Sequence, residues 1–450
     1  RRSKRHTNHD EYVALTDAAK AARQALEPTD IVQKHAWLFR EHWLTESAED
    51  VADIDRDFDK RAERVAARRA EALGEGYATR GVIGVLELST QGNAAFVAGL
   101  LLAERVLSRA EVADVICAAL APINALNAGS RQNLIAGLVR SDADEAKRQE
   151  LLGALSERLP QDELVRVLLA APFRPATWQR VDGLSVDSRA RYWRDVAPEW
   201  FREEDTEVVE AIERLVVAKR PRAAFHAAQF ALGRLEPELV FRLMTNVAQG
   251  GDEQEGHYQL QHHYIKEAFD RINAPSSLTI EQKAGLEFTF IDALAQPGAK
   301  GGIPNLERYV EAHPDLFVQA LAWTYRRKGD GIDPPEIVPP EGSGKQLAER
   351  GHKLLRALRS IPGRDEAGVL DAARLRAWVD AVRDAAAKID RTAVADVSIG
   401  ELLVVQVAAL FGQELVLDMD CGGPRLLECP HHVHDVERLS VSGVAVHEDG

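Results

Sequence analysis

The chain has 450 residues, with 45% apolar and 28% charged side chains and a formal net charge of −15 at pH 7. That balance suits a globular protein with a large core, and it disfavours general attraction to nucleic acid or an anionic membrane. Three cysteines, Cys117, Cys421 and Cys429, make no disulfide framework, so a reducing cytoplasm is the expected setting.

The basic start "RRSKRH" (1–6) is short and reads as a solvated tail, and no apolar run follows it as a secretory signal would require. A first residue of Arg1 leads us to expect a piece of a longer polypeptide or a processed product. From about Glu46 to Arg80 the residues predict one long charged helix, with Val51, Ile54, Phe58, Ala62 and Val65 on a narrow apolar seam. Acids crowd its first half and arginines its second, an order that complements the helix dipole. Such a seam suits one partner helix. The "DIDRDFD" run (53–59) imitates a calcium loop, but Phe58 stands where the loop's sharp turn needs glycine.

Residues 81–328 read as roughly fifteen short amphipathic helices in series. Val208, Val209, Ile212, Leu215 and Val216 form one stripe, Leu239, Val240, Leu243, Met244 and Val247 another, and Leu164, Val165, Leu168 and Leu169 begin a third. Ser108 with Glu111, Thr279 with Gln282, and Ser398 with Glu401 match the capping box. The longest apolar run, 94–103, is about half a membrane span. In "RYWRDVAPEWF" the set Tyr192, Trp193, Trp200 and Phe201 reads as core, with Trp200 or Phe201 as partner anchors if exposed. His257, His262 and His263 read as polar residues near a helix start. The basic residues Arg214, Lys219, Arg220 and Arg222 fall on different helix faces and make no phosphate-binding stripe.

Residues 329–344 form a Pro- and Gly-rich linker. Within it "EGSGKQ" lacks the first glycine and the Ser or Thr of a P-loop. Helices follow at 345–361, 371–390 and 399–411, the second with Leu375, Trp378, Val379, Val382 and Ile389 on one face. The remainder, 412–450, is an irregular tail in which "ELVLDMD" suits a short strand. There Cys421, Cys429, His431 and His434 have the right chemistry for zinc, but the cysteines stand eight apart rather than as a close pair. Adventitious metal affinity is the better reading. No catalytic, cofactor-binding or metal-ligating residue is nominated, and no cofactor is expected.

The segments "RPRAAFHAAQF" (220–230), "GIPNLERYVEAHPDLFVQALAWTYRRKGDGIDPPE" (302–336) and "LLRALRSIPGRDEAGVLDAARLRAWVDAVRDA" (354–385) resemble the C-terminal helical region of a family of very large, functionally uncharacterised bacterial proteins. The similarity runs from about 30 to 403; beyond Leu403 the family's Trp-Pro-Cys segment is absent. The resemblance implies a bacterial source and no reaction.

The expected fold is therefore all-α, an irregular α-solenoid with HEAT-like stacking of helix pairs and a strand-bearing C-terminal tail. The expected function is a non-enzymatic scaffold or protein-interaction module, whose partner is a protein or another domain of the parent chain, with no nucleic acid and no membrane. The alternative is an accessory region of a multidomain enzyme or a defence or sensing protein, with its catalytic domain N-terminal to this chain. Limited proteolysis is expected to cut first within 333–344, whose prolines and glycines cannot make a buried hydrogen-bond ladder. Cleavage elsewhere that spares this segment would count against it.

Overall fold

Short helices in series bury their stripes only against one another, and each one that ends inside the protein leaves backbone groups to be satisfied there. The computed structural model describes residues 10–40, 58–121, 128–251, 258–294, 302–325, 344–357, 362–363 and 371–400. The protein is all-α, and among the described residues there is no strand. It divides into two compact units, one of residues 1–234 and 249–259, the other of 235–248 and 260–450. The division falls inside the stretch 81–328.

The first unit contains α1 (Asp10–Ala25), α2 (Ile31–His35), α3 (Trp37–Arg40), α4 (Phe58–Ser89), α5 (Ala95–Leu101), α6 (Arg109–Leu120) and α7 (Ala128–Arg140). It continues with α8 (Glu145–Arg158), α9 (Gln161–Ala170), α10 (Pro175–Asp182), α11 (Val186–Asp195), α12 (Val208–Val217) and α13 (Pro221–Ala228). Alternate helices meet: α5 packs on α7, α7 on α9 and α9 on α11, while α6 packs on α8. The second unit holds α14 (Pro237–Gln249) but for its last residue, then α15 (His262–Ile272), α16 (Ile280–Thr289), α17 (Ile291–Leu294), α18 (Pro304–Ala312) and α19 (Pro314–Thr324). It ends with α20 (Gly344–Ala357), α21 (Ala372–Lys388) and α22 (392–400). There α16 packs on α18, and α19 on both α20 and α21.

The stripes behave as amphipathic patterns should. Val208, Ile212 and Leu215 are buried while Val209 faces solvent, and Leu239, Val240, Leu243, Met244 and Val247 are all buried. Ser108 and Thr279 cap α6 and α16 in complete capping boxes. Ser398 does not cap anything: the helix begins at residue 392 and Ser398 lies buried inside it. A Ser-x-x-Glu spacing recurs in helix interiors, so the spacing alone does not mark a start. Trp378 and Val382 of α21 are buried as expected, but Ile389 is exposed at the helix end.

The predicted long charged helix overlaps α4, and its residues 46–57 lie outside the described ones. Helix α4 runs on to Ser89 across a break at Gly81, whose φ of 59° and ψ of −145° are open to glycine and strained for other residues. The bend is sharp. A Cβ on Gly84 would lie 2.5 Å from the Gly76 carbonyl oxygen, whereas eight residues along a straight helix span about 12 Å. Helix α4 packs on α2, α3, α5 and α6, while Val51 and Ile54 of the predicted seam lie outside the described residues.

Arginines close many of the buried helix ends. Arg69 Nε donates to Leu38 O at 2.9 Å on α3. Arg140 donates to Ala170 O at 2.8 Å and Ala171 O at 3.1 Å, at the end of α9. Arg220, buried, donates to Trp193 O at 3.0 Å and Val196 O at 2.7 Å, at the end of α11. Each is a charge-assisted bond to a carbonyl left over by the helix, with a net contribution of about 1.5–3 kcal/mol. A planar guanidinium with several fixed donors can bridge two such carbonyls.

Helices α5 and α7 cross at a pair of glycines. A Cβ on Gly137 would overlap the Phe96 carbonyl oxygen and lie 2.9 Å from the Gly99 Cα. Gly137→Ala is therefore expected to lower stability by about 1–3 kcal/mol through overpacking against backbone. Gly74→Ala in α4, where nothing lies within 4 Å of the new Cβ, should be neutral or slightly stabilising. Denaturant titration of both variants by circular dichroism checks the contrast.

Candidate functional site

Between α11 and α12 the chain crosses residues 196–207 without regular helix. Two contacts fix its course. Arg220 grips its first turn through Val196 O, and Phe201 inserts into the core. Phe201 is fully buried, with its ring 6.0 Å from Phe173 and 6.4 Å from Trp178, and its N–H donates to Ala227 O at 2.9 Å. Phe201 is inside while its neighbour Trp200 is 55% exposed.

Trp200 is held in place. Its indole N–H donates to His226 Nε2 at 2.8 Å, which requires that nitrogen to be the unprotonated one. Phe230, 41% exposed, meets the Trp200 ring edge-on, with centroids 5.5 Å apart and planes at 84°. His226 in turn packs on Tyr258 at 5.1 Å, and the Arg220 guanidinium lies 5.8 Å from the Tyr258 ring. Together with Arg174, Glu199, Arg202, Glu204 and Asp205, the rings of Trp200, His226 and Phe230 border an open cleft of about 950 Å³.

The charges around it are unequally engaged. Glu199 pairs with Arg140 at 2.7 Å and with Arg174 at 3.7 Å. Arg174 also donates to Phe173 O at 3.0 Å and stacks over Phe201 at 4.9 Å. Asp205 accepts the Arg202 N–H at 2.7 Å, which closes a short turn. Arg202 and Glu204 stay largely in solvent, 3.9 Å apart.

The aromatic set expected from the sequence thus separates. Tyr192, Trp193 and Phe201 are core, and Trp200 alone of the four is surface. Sequence reasoning missed His226, Phe230 and Tyr258 as its companions. His226 and Phe230 stand four apart, a spacing that puts both on one side of a helical turn, but nothing local ties them to a tryptophan 26 residues earlier.

The other sequence candidates lie elsewhere. His262 and His263 are exposed in the first turn of α15, while His257 is outside the described residues. Arg214 is committed to Asp182 at 2.9 Å and Glu210 at 2.8 Å. Lys219 takes a left-handed φ of 60° after α12. Burial pushes the Cys117 thiol up, which suits a structural rather than a nucleophilic cysteine. Among the described residues no group of His, Cys, Asp and Glu could hold a metal ion. Cys421, Cys429, His431 and His434, the acids of 53–57 and the linker up to residue 343 lie outside them. No helix of the described residues is long and apolar enough to cross a membrane.

One buried acid could pass for catalytic and is structural. Glu287 of α16 is fully buried, and its carboxylate accepts the Leu306 N–H at 2.7 Å and the Asn305 side-chain amide at 2.6 Å. It thereby satisfies the N-terminus of α18 from a neighbouring helix. Burial raises its carboxyl to about 7, and the bonds from Leu306 and Asn305 offset that only in part.

Fold and site together define an all-α protein with a preformed aromatic cleft on its first unit. No family model matches the chain, and neither the curated proteins nor the solved structures give a match.

Folded chains hold the Glu287 proton to a higher pH than unfolded chains, whose carboxyl sits near the ordinary 4.5. Its contribution to stability is whole below about pH 4.5 and is lost as the pH rises through 7. The loss is on the order of 2–3 kcal/mol. Glu287→Gln should remove this slope, read from denaturation midpoints across the range, although its amide nitrogen loses one of the two acceptor positions that Leu306 and Asn305 use. An unchanged slope would show that the group does not titrate there.

Proposed function

We propose that this chain is a non-enzymatic helical module that binds another protein or another domain of its own parent chain. The observation that supports this is the exposed Trp200–Phe230 pair, clamped by His226 and seated on a buried aromatic core. Folding normally hides aromatics of this size, and binding hot spots are enriched in them. Rings already fixed in place lose little freedom on association. The alternate-helix packing of the first unit supports an irregular solenoid, an architecture that offers extended surfaces. The setting we propose is a bacterium and a larger polypeptide, which the sequence resemblance implies, and the cytoplasm, which the few cysteines suit.

Photocrosslinking tests this. A benzoylphenylalanine placed at residue 230, with the chain expressed from its native gene, is expected to give one or a few discrete protein adducts that Trp200→Ala abolishes. The same probe at Val217, 83% exposed on α12, serves as the control. Adducts identical at both positions, or none at 230, would overturn the proposal.

A further inference from the structure

The cleft's companion residues say what kind of segment it suits. Five of the nine residues from Glu199 to Glu207 are acidic: Glu199, Glu203, Glu204, Asp205 and Glu207. Glu199 is neutralised from within by Arg140 and Arg174. The other four share the loop with a single arginine, Arg202, and lie on its exposed or half-exposed side. The Trp200 and Phe230 rings add to the same sign, because an aromatic face carries negative charge density. Both faces are fixed, Trp200 by its bond to His226 and Phe230 by its edge-on contact.

Taking the chain as the interaction module proposed above, we infer that the Trp200 cleft receives a cationic peptide segment, with an arginine or lysine side chain of the partner on the Trp200 ring and the exposed Glu203 and Glu204 of the loop as its counter-charge. An acidic or phosphorylated segment would find little to hold it. Arg174 is occupied by Phe173 O, Glu199 and the Phe201 ring, and Arg234 beside the loop is tied to the Asp205 carbonyl, which leaves Arg202 as the exposed cation of the cleft wall. A second copy of the chain would bring its own net charge of −15 against this one. The same net charge steers a cationic partner inward. Tryptophan is the aromatic that holds a cation best, and arginine is its commonest visitor.

The probe is a fluorescein-labelled synthetic peptide alternating arginine with glycine and serine, followed by anisotropy against the full chain. An acidic peptide of the same spacing is the control. We expect the cationic peptide to bind and the acidic one not to. Trp200→Ala should weaken binding about threefold to tenfold, with Trp200→Phe intermediate. The double variant Glu203→Gln, Glu204→Gln should weaken it too and flatten its dependence on salt. Unchanged circular dichroism shows that the variants fold, as their exposed positions lead us to expect. Equal affinity of parent and variants would mean general attraction to a negative chain and would overturn the proposal, as would preference for the acidic peptide. If no peptide binds while crosslinking at residue 230 still yields discrete adducts, the cationic assignment fails and the interaction module stands. If both experiments fail, both proposals fall.

Discussion

The burial of Phe201 against Phe173 and Trp178 is the contact on which the Trp200 surface depends. Phe173 and Trp178 meet edge to face at 4.9 Å, and Trp193 lies 6.1 and 6.2 Å from them. Arg214 covers the cluster, 5.8 Å from the Trp178 ring and 5.5 Å from Trp193, with Asp182 and Glu210 holding it there. The cluster therefore joins α10, α11 and α12. Burying one Phe side chain is worth about 1.5–3 kcal/mol, and each well-placed aromatic pair adds about 0.5–1.5 kcal/mol. Ordering a single loop residue costs about 1–2 kcal/mol. The acidic loop thus stays in place because Phe201, its bond to Ala227 and the Arg202–Asp205 turn act together. Trp200, next to that anchor in the chain, is exposed.

The interior of this protein is less apolar than its helical stripes imply, and the reason is helix length. Many helices here run only 8–14 residues, so a large share of their backbone groups are terminal. Arg69, Arg140 and Arg220 answer helix carbonyls, while Glu287 answers the Leu306 N–H and the Asn305 side-chain amide at the start of α18. These side chains could be mistaken for functional residues on burial and charge alone. Their partners are backbone groups of neighbouring helices, which marks them as the means by which one helix registers the next. The glycine contact between α5 and α7 serves the same end by letting two backbones touch.

Much of the fold is legible in the sequence because helix formation is local. The apolar spacing of 206–217 and 236–248 and the capping residues Ser108 and Thr279 each depend on side chains three or four residues apart, and each is realised. What failed was also local but ambiguous: Ser398 has the spacing of a cap and lies in mid-helix. The end of the charged helix was placed at Arg80, beside Gly81, where the chain does break from helical geometry before turning back into helix as far as Ser89. A glycine shows where a backbone can bend; its neighbours in space decide whether and how far it does.

The candidate site was only half legible. Composition marked "RYWRDVAPEWF" as aromatic, yet four rings in eleven residues do not reveal which face inward. That depended on Phe173 and Trp178 from α10 and its approach, and on Ala227 of α13, offering Phe201 a place. The companions of Trp200 come from 26 and 30 residues further along, His226 brought in by α13 and Phe230 by the turn after it. The sequence by itself determined the all-α class, the helix faces and the acidity of the 199–207 loop, because periodicity and charge are properties of neighbours along the chain. Only the tertiary structure decided that Trp200 meets solvent, that His226 and Phe230 frame it, and that Glu287 and Arg220 are braces, because burial is a property of neighbours in space.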